Sequence, residues 1–327
     1  MVLTDELDNK ILGILDKDGR IPAVQIAEEL GVSRQVISAR ITRLEERKVI
    51  LGHYTIFDSG VVGYNWYRVL FRLLNVSKSQ KQEFLQYLKT HDHVAWLGEV
   101  GGRWDIAVNF ACESPSAFNT IHEEISVKFG PVVKDVEVLV YVDIYDYSRS
   151  YLGSSGGSRK KFFHQMSSGG SAVIDELDKR LIRALSQQAR VDNTALGAQL
   201  SVTRNTIKNR IDRLIEKKVI LGFRTFVDLK KLGYESNMLF LQINRMDRER
   251  ETELYLYLQM LDQVTFVVKH IGKWKVGLEI ETQSSHDFQE VLLNIRSEFS
   301  DLISDYDTFP LLQDHMINYF PEGILNN

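Results

Sequence analysis

The sequence contains a single cysteine, Cys112, among its 327 residues. One thiol excludes an internal disulfide framework and a zinc site built from several cysteines, and it favours a reducing compartment. The amino terminus has acidic residues where a signal peptide has basic ones, and no run approaches the ~20 apolar residues of a membrane span. We therefore expect a cytoplasmic protein that is neither secreted nor inserted into a membrane.

A surplus of positive charge is also missing from the chain as a whole. The net charge of −4 argues against a protein that coats nucleic acid, although the distribution of charge matters more than its sum. Residues 33–48 carry five basic side chains against two acidic ones, and residues 203–218 carry six against two. The basic charge is therefore concentrated in two segments.

These two segments are copies of each other. SRQVISARITRLEERKVILG, residues 33–52, returns without a gap as TRNTIKNRIDRLIEKKVILG, residues 203–222, at an offset of 170. The same offset places Gly233 on Gly63 and Trp274 on Trp104. The chain is therefore an internal duplication, and its length suggests at least two domains in each half.

The first 50 residues have the pattern of three short helices. Apolar residues recur at helical spacing after Thr4, which is placed to cap the first helix, and Pro22 is suited to the first position of the second. Gly31 ends that helix, and Ser33 can cap the third. This is the helix-turn-helix arrangement, whose last helix can enter a major groove about 12 Å wide. The β-rich run that follows is either a wing or a strand leaving the domain.

Residues 67–145 have the order β-α-β-β-α-β of a ferredoxin-like fold, with Ser114 and Pro115 marking the start of the second helix. The last strand carries apolar side chains on both faces, so the sheet face opposite the helices needs a partner. That partner could be the other half or a second chain. We predict an α+β protein in which two winged helix-turn-helix domains (1–58 and 173–228) alternate with two ferredoxin-like domains (64–150 and 234–316). A glycine- and serine-rich stretch, 151–172, is predicted to be a flexible linker, and the tail from residue 313 has no assigned counterpart.

The strings IAEELGVSRQVISARITRLEERKVI and VTRNTIKNRIDRLIEKKVI resemble the Lrp/AsnC family of transcription regulators, as does GGRWDIAVNF. In that family a helix-turn-helix domain precedes a ferredoxin-like RAM domain, and two protomers present two recognition helices to a pseudo-palindromic site. The resemblance implies that one chain imitates such a dimer. Lys48 and Lys218 stand where the family usually has glycine, at the end of the recognition helix.

The DNA-binding residues are predicted on the outward face of each repeated helix. Amide side chains pair with adenine and lysine with guanine, whereas arginine outside the groove more often holds phosphate. The predicted set is Ser33, Arg34, Gln35, Ser38, Ala39, Thr42, Arg43, Thr203, Arg204, Asn205, Lys208, Asn209 and Arg213. Arg40 and Arg210, near the inward edge, are at least as well explained by structural ion pairs. Since the two outward faces differ, we predict an asymmetric DNA site.

A small-molecule effector, such as an amino acid, is implied by the same resemblance. Its candidate residues are Gly101, Gly102, Asp105 and Gly272, in the turns after the second strand of each sheet domain; Asp105 is as readily explained as a turn residue. No cofactor or metal is expected, because His91, His93 and His122 do not form a credible ligand set. Two alternatives stay open: a siroheme decarboxylase-like enzyme with the same two-domain plan, and a ligand-binding interaction protein without DNA binding.

Overall fold

The computed structural model describes residues 4–153, 162–166, 170, 172–244 and 247–325. The first half contains α1 (Glu6–Lys17), α2 (Ala23–Leu30), α3 (Arg34–Glu46), β1 (Ile50–Phe57), β2 (Asn65–Leu73), α4 (Lys78–Lys89), β3 (Val94–Val100), β4 (Ile106–Cys112), α5 (Pro115–Phe129) and β5 (Val133–Tyr147). After β6 (Phe162–Met166), the second half contains α6 (Glu176–Gln187), α7 (Asn193–Leu200), α8 (Arg204–Glu216), β7 (Ile220–Val227), β8 (Glu235–Ile243), α9 (Arg248–Met260), β9 (Val264–Ile271), β10 (Val276–Thr282), α10 (Ser285–Glu298), β11 (Ile303–Ile317) and α11 (Glu322–Leu325). The predicted α+β class, with two helix-turn-helix and two ferredoxin-like domains, is confirmed.

Side-chain caps determine where the helices of the DNA-binding domains begin. The Ser33 hydroxyl accepts the Val36 N–H at 3.3 Å, and Thr203 accepts the Thr206 N–H at 3.1 Å, so both recognition helices begin as predicted. The prediction of Thr4 as the cap of α1 was wrong. Asp5 caps that helix and Asp8 returns the bond, because a carboxylate pair completes a capping box that a lone threonine cannot. Pro22 is likewise the cap residue of α2, one position before its first turn.

The strand after each helix-turn-helix domain crosses to the other half. β1 and β7 pair antiparallel with each other as a two-stranded ribbon, so neither forms a wing within its own domain. Val227 at the end of β7 is buried in the core of the first helix-turn-helix domain, and Phe57 at the end of β1 is buried in that of the second. Each DNA-binding domain is thus completed by residues of the opposite half.

The two ferredoxin-like domains share one sheet among the described residues, in the order β2-β4-β3-β11-β8-β10-β9-β5-β6. Each long last strand pairs first with its own domain and then with the other. β5 pairs with β2 and then with β9, whereas β11 pairs with β8 and then with β3. Since β5 also returns to β2, eight strands form a closed ring. An apolar cluster that includes Leu70, Leu139, Phe240 and Phe309 fills part of its interior.

Two segments differ from their predicted organisation. The tail does have a counterpart as far as Ile317, because β11 repeats β5 at the same offset; the sequence alternation there is too weak to show it. Phe320 and Ile324 beyond it pack into the second helix-turn-helix core. Within the predicted linker, residues 162–166 form β6 on the edge of β5, and Phe163 is buried. Residues 154–161, 167–169 and 171 of the linker lie outside the described residues.

Candidate nucleic-acid interface and central cavity

The two recognition helices, α3 and α8, present matching scaffolds with different outward faces. Their inward residues are buried in both copies: Ile37, Ile41 and Leu44 in α3, and Ile207, Ile211 and Leu214 in α8. The predicted DNA-binding residues lie on the exposed side, namely Ser33, Arg34, Gln35, Ser38, Ala39 and Thr42 in the first copy and Thr203, Arg204, Asn205, Lys208 and Asn209 in the second. The structure therefore leaves eleven of the thirteen predicted side chains open to a ligand.

Arg43 and Arg213, the other two, are half-buried and bind carboxylates of the first helix of their domain. Nη2 of Arg43 donates to the two carboxylate oxygens of Asp8 at 2.9 and 2.7 Å. Nη2 of Arg213 donates to one carboxylate oxygen of Asp178 and, at 3.3 Å, to one of Asp175. Asp8 is only 1% exposed, so this contact anchors the recognition helix against the first helix. To bind a DNA phosphate as well, each of these guanidinium groups would have to contact the phosphate and the carboxylate of the first helix at the same time.

Arg40 and Arg210 take part in the same anchors. Each donates to the cap carboxylate and to the third residue of the first helix, Asp5 and Asp8 in one copy and Asp175 and Asp178 in the other. The hydrogen bond from Arg210 is the main reason why the pKa of the Asp175 carboxyl lies well below its usual value. These contacts are the structural ion pairs that the sequence allowed for both residues.

The ends of both recognition helices keep a left-handed residue although the usual glycine is absent. Lys48 has a φ of 57° and Lys218 a φ of 59°. The backbone then closes each helix with the N–H of the next residue, Val49 or Val219, bonded to Leu44 or Leu214 at 2.9 Å. Lysine in place of glycine therefore preserves the helix end, but the left-handed conformation of a residue with a side chain strains the backbone there.

The relative position of the two DNA-binding domains is fixed by reciprocal contacts. Nη1 of Arg20 donates to the Ala189 carbonyl at 2.9 Å, and Nη1 of Arg190 donates to the Gly19 carbonyl at 3.0 Å. These residues correspond at the 170-residue offset, so one interaction is made twice across a pseudo-twofold axis. Together with the β1–β7 ribbon, it holds α3 and α8 in a defined mutual orientation.

The predicted effector residues lie where the sheet of one half meets the other half. The Gly101 N–H donates to the Pro310 carbonyl at 3.0 Å, and a Cβ on Gly272 would lie 2.6 Å from a methyl of Leu139. Gly102 has a φ of +80°, the left-handed conformation that glycine adopts without strain. The Asp105 carboxylate accepts the Leu73 N–H at 2.8 Å, so it holds the end of the neighbouring strand β2 and is a structural contact. None of these four residues lines the cavity described next.

A cavity of about 530 Å³ lies between the two halves, a size typical of small-molecule sites. The first half contributes Arg68, Trp96 and Asn109, and the second contributes Glu279 and Asp314. None of these five residues was predicted from the sequence. The available signal was that polar residues stand on strands that otherwise read as buried, and that their identity changes at the 170-residue offset: Arg68 corresponds to Met238 and Asn109 to Glu279.

A buried ionic network forms one side of the cavity and joins it to the first helix-turn-helix domain. Nη2 of Arg224, on β7, donates to both carboxylate oxygens of Asp16 on α1 at 2.6 Å, and Nη1 contacts Asp146 on β5. Arg149 binds Asp16 and also Glu281 on β10, at 2.9 and 2.8 Å. Four elements from both halves therefore meet in one group of paired charges.

Two carboxyl groups of the cavity lie outside this network, those of Glu279 and Asp314, and neither forms an ion pair with another described residue. Burial raises the pKa of Glu279 to about 7, with the charges of Glu281 and Asp314 adding to the effect. Burial also raises the pKa of Asp314, although its bond from the Trp96 indole opposes the shift. Within the described residues no cluster of three or more potential metal ligands occurs, and no helix is long and apolar enough to cross a membrane.

Comparisons with known proteins match these domains. A family model of the AsnC-type helix-turn-helix domain matches residues 5–45 and 174–215. The regulatory protein AsnC of Escherichia coli K12 is 28% identical over 142 residues, which cover 43% of this chain and 92% of that protein. The HTH-type transcriptional regulator FL11 of Pyrococcus furiosus is 28% identical over 117 residues, covering 36% of this chain and 76% of that protein.

Among solved structures, the siroheme decarboxylase NirDL has a TM-score of 0.64 at 16% identity, with 98% of this chain and 96% of that chain covered. A second NirDL structure, in complex with an iron-uroporphyrin III analogue, has a TM-score of 0.62 at 15% identity, with 98% and 97% covered. At such identities the likeness shows a shared fold over both halves.

Proposed function

Because this chain is a member of the Lrp/AsnC family with two AsnC-type helix-turn-helix domains, we propose that it is a sequence-specific DNA-binding transcription regulator that acts as a single-chain pseudo-dimer. The proposal rests mainly on the two exposed faces of α3 and α8. Both are built on corresponding sets of buried residues, and reciprocal contacts between the two domains hold them in place. We further propose that a small metabolite bound to the chain modulates this binding.

The residues proposed to read bases differ between the halves. Gln35, Ser38 and Ala39 in α3 correspond to Asn205, Lys208 and Asn209 in α8, so each half-site would be recognised by different hydrogen-bonding groups. In the free protein, Nζ of Lys208 donates to Asp212 at 2.8 Å, and both side chains are largely exposed. A surface pair of this kind is weak enough to exchange for a guanine.

The DNA proposal is tested by removing the exposed arginine at the start of each recognition helix. We expect Arg34→Ala combined with Arg204→Ala to weaken binding and to reduce the slope of log affinity against log salt concentration by about 2. The double variant makes two phosphate contacts fewer, and binding then releases about one counterion fewer for each lost contact. The probe is a duplex selected from a randomised library, and fluorescence anisotropy at several salt concentrations gives both quantities. Arg248→Ala, an exposed arginine of the second sheet domain, is the control. An unchanged affinity and slope in the double variant would exclude this use of the helices.

A siroheme decarboxylase-like function is the second candidate, favoured by the likeness to NirDL over both halves. Binding of a tetrapyrrole rich in carboxylates would call for several free cations. In this cavity Arg149 and Arg224 are already paired with carboxylates, and Arg68 shares the space with Glu279 and Asp314. Among the described residues, the cavity therefore offers fewer free cations than a tetrapyrrole rich in carboxylates would need, and this favours the regulator over the enzyme.

Spectroscopy and DNA binding separate the two functions and the interaction protein. Incubation with iron-uroporphyrin III, followed by gel filtration and a visible absorption spectrum, detects a bound tetrapyrrole. A regulator is expected to bind DNA and not the tetrapyrrole. An enzyme of the NirDL type is expected to bind the tetrapyrrole and not DNA. An interaction protein binds neither.

A further inference from the structure

The central cavity lies on the pseudo-twofold axis, where corresponding residues of the two halves face each other. Arg68 on β2 and Met238 on β8 correspond at the 170-residue offset, and Nη1 of Arg68 lies 3.7 Å from the Met238 sulfur. Each half therefore contributes a different chemical group to the same place. The cavity is a single asymmetric site rather than two copies of one site.

Arg68 is a buried cation without a carboxylate partner among the described residues. It is 7% exposed, and its Nε donates to the Asn109 side-chain carbonyl at 2.9 Å. Its guanidinium carbon lies 5.0 Å from the centre of the Trp96 ring and 5.6 Å from that of Tyr141. These neighbours orient the guanidinium but do not neutralise it, and a buried charge is costly unless something pairs with it.

Glu279 and Asp314 bring two carboxyl groups of the second half to the same cavity, opposite in charge to Arg68. The Ser236 hydroxyl donates to Glu279 at 2.7 Å, and the Trp96 indole donates to Asp314 at 2.9 Å. Neither carboxyl has a cation within ion-pairing distance in the part of the chain that the structure describes, and burial raises the pKa of both. A cation entering the cavity would relieve the cost of their ionisation.

The three groups are close but do not pair with one another. Glu279 on β10 is the strand partner of Met238, so both side chains lie on the same sheet face, and Met238 contacts Arg68. Trp96 stacks under Arg68 and also bonds to Asp314. Met238 and Trp96 each lie next to Arg68 and to one of the two carboxyl residues, and all three charged residues line the cavity of about 530 Å³, which has room for a small molecule to bridge them.

We propose that the central cavity binds one small zwitterion per chain, with the ligand carboxylate on Arg68, its ammonium group between Glu279 and Asp314, and an apolar body against the aromatic walls. Trp66, Phe266 and Leu311 line the cavity and supply such walls. The site is distinct from the turn residues Gly101, Gly102, Asp105 and Gly272. The inference names a ligand class for the regulator proposed above and rests on that function for its biological role. The binding itself is a property of the free protein.

The test is calorimetric titration of the DNA-free chain with three zwitterionic probes: phenylalanine, leucine and 6-aminohexanoate. Each is compared with its amine-only and its carboxylate-only analogue. We expect at least one zwitterion to bind with a stoichiometry of one per chain, and both of its analogues to bind about tenfold more weakly or worse. Because no DNA is present, this outcome is independent of whether the recognition helices bind DNA.

Two substitutions then assign the ends of the ligand. Arg68→Met introduces the residue that the second half has at this position, and we expect it to weaken zwitterion binding to the level of the amine-only analogue. Glu279→Gln keeps the shape of the side chain and should weaken zwitterion binding towards the level of the carboxylate-only analogue, because only Asp314 is then left to bind the ammonium group. Arg72→Met, on the same strand but with a half-exposed side chain, is the matched control and should bind like the parent chain.

Several results would overturn the proposal. They are no binding of any of the three zwitterions at millimolar concentration, a stoichiometry of two, a zwitterion bound no better than its analogues, or an Arg68→Met variant that binds like the parent. Binding of iron-uroporphyrin III at the same cavity, shown by loss of the complex in Arg68→Met, would replace the zwitterion by a tetrapyrrole. Should Arg68→Met fail to fold, the comparison of analogues on the parent chain decides the question alone.

Discussion

His53 and Phe223 occupy corresponding positions on β1 and β7; the side chain of His53 is 6% exposed, and Phe223 is buried. The imidazole Nδ1 of His53 lies 3.0 Å from the Thr225 hydroxyl, and Nε2 lies 3.6 Å from a Glu45 carboxylate oxygen. Burial and the nearby charge of Arg190 lower the pKa of His53 to about 4. A neutral histidine is thus built into the contact between the two DNA-binding domains, at a position where the other half has an ordinary apolar ring.

The titration of His53 makes stability depend on pH. The folded-state pKa lies below the usual value of 6.5, so the unfolded chain takes up the proton first. The stabilisation is complete above pH 6.5 and is lost as pH falls towards 4. We expect the free energy of unfolding to fall by about 2 kcal/mol more in the parent chain than in His53→Phe between pH 7 and pH 5. Urea unfolding at both pH values measures this difference; equal losses in the two proteins would contradict it.

Arginines show how far a single sequence predicts a site. Helical spacing placed Arg34 on an exposed face, because the period of a helix defines which side a residue lies on. The same spacing could not show that Arg43 binds Asp8, since that carboxylate belongs to another helix. Arg68 was missed altogether: it lies on a strand whose neighbours are nearly all apolar, and its environment is created by the opposite half.

At the scale of elements, the strands were predicted well and their partners were not. The order of strands and helices over residues 67–145 was predicted from the local sequence, because the spacing of apolar residues indicates whether a segment is a strand or a helix. This spacing does not indicate which strand lies next to another. The exchange of β1 and β7, and the pairing of β5 with β9, join residues more than 100 positions apart and depend on how the two halves dock.

The ionic network around Asp16 ties these exchanged elements together. Asp16 is fully buried and faces Arg149 and Arg224, whereas the second half has Ser186 at its position. We expect Asp16→Ser to lower the free energy of unfolding by about 3–5 kcal/mol, because it leaves two buried arginines with fewer carboxylates. Chemical denaturation measures the loss. Glu29→Ser, an exposed position on α2, should change stability by less than about 0.5 kcal/mol, and a similar small effect of Asp16→Ser would show that the network is dispensable.

At the scale of the whole molecule, the two halves form one folded unit with two unlike recognition faces. The cores of both DNA-binding domains contain residues of the opposite half, and the sheet ring uses strands of both. The duplication and the domain order could be predicted from the 170-residue repeat. The central cavity could not, because it exists only once the halves are docked.

Unlike recognition faces imply unlike half-sites. The variant Gln35→Asn, Ser38→Lys, Ala39→Asn, Thr42→Asp gives α3 the outward residues of α8, including the Lys–Asp pair. Selection from a randomised duplex library should return two different half-sites for the parent chain and an inverted repeat of one half-site for the variant, since base contacts carry the sequence information. An inverted repeat selected by the parent chain would contradict the proposed division of the readers.

The contact between Arg68 and Met238 has a consequence for how such a pocket can evolve. In a homodimer every substitution is inherited by both protomers, so a residue on the symmetry axis always meets its own copy. An arginine there would face a second arginine, and a glutamate a second glutamate. Fusion of the two copies into one gene removes this coupling. Mutations on either side of the former axis can then be selected independently, and a pocket with opposite charges on its two walls becomes accessible to a fold that began as symmetric.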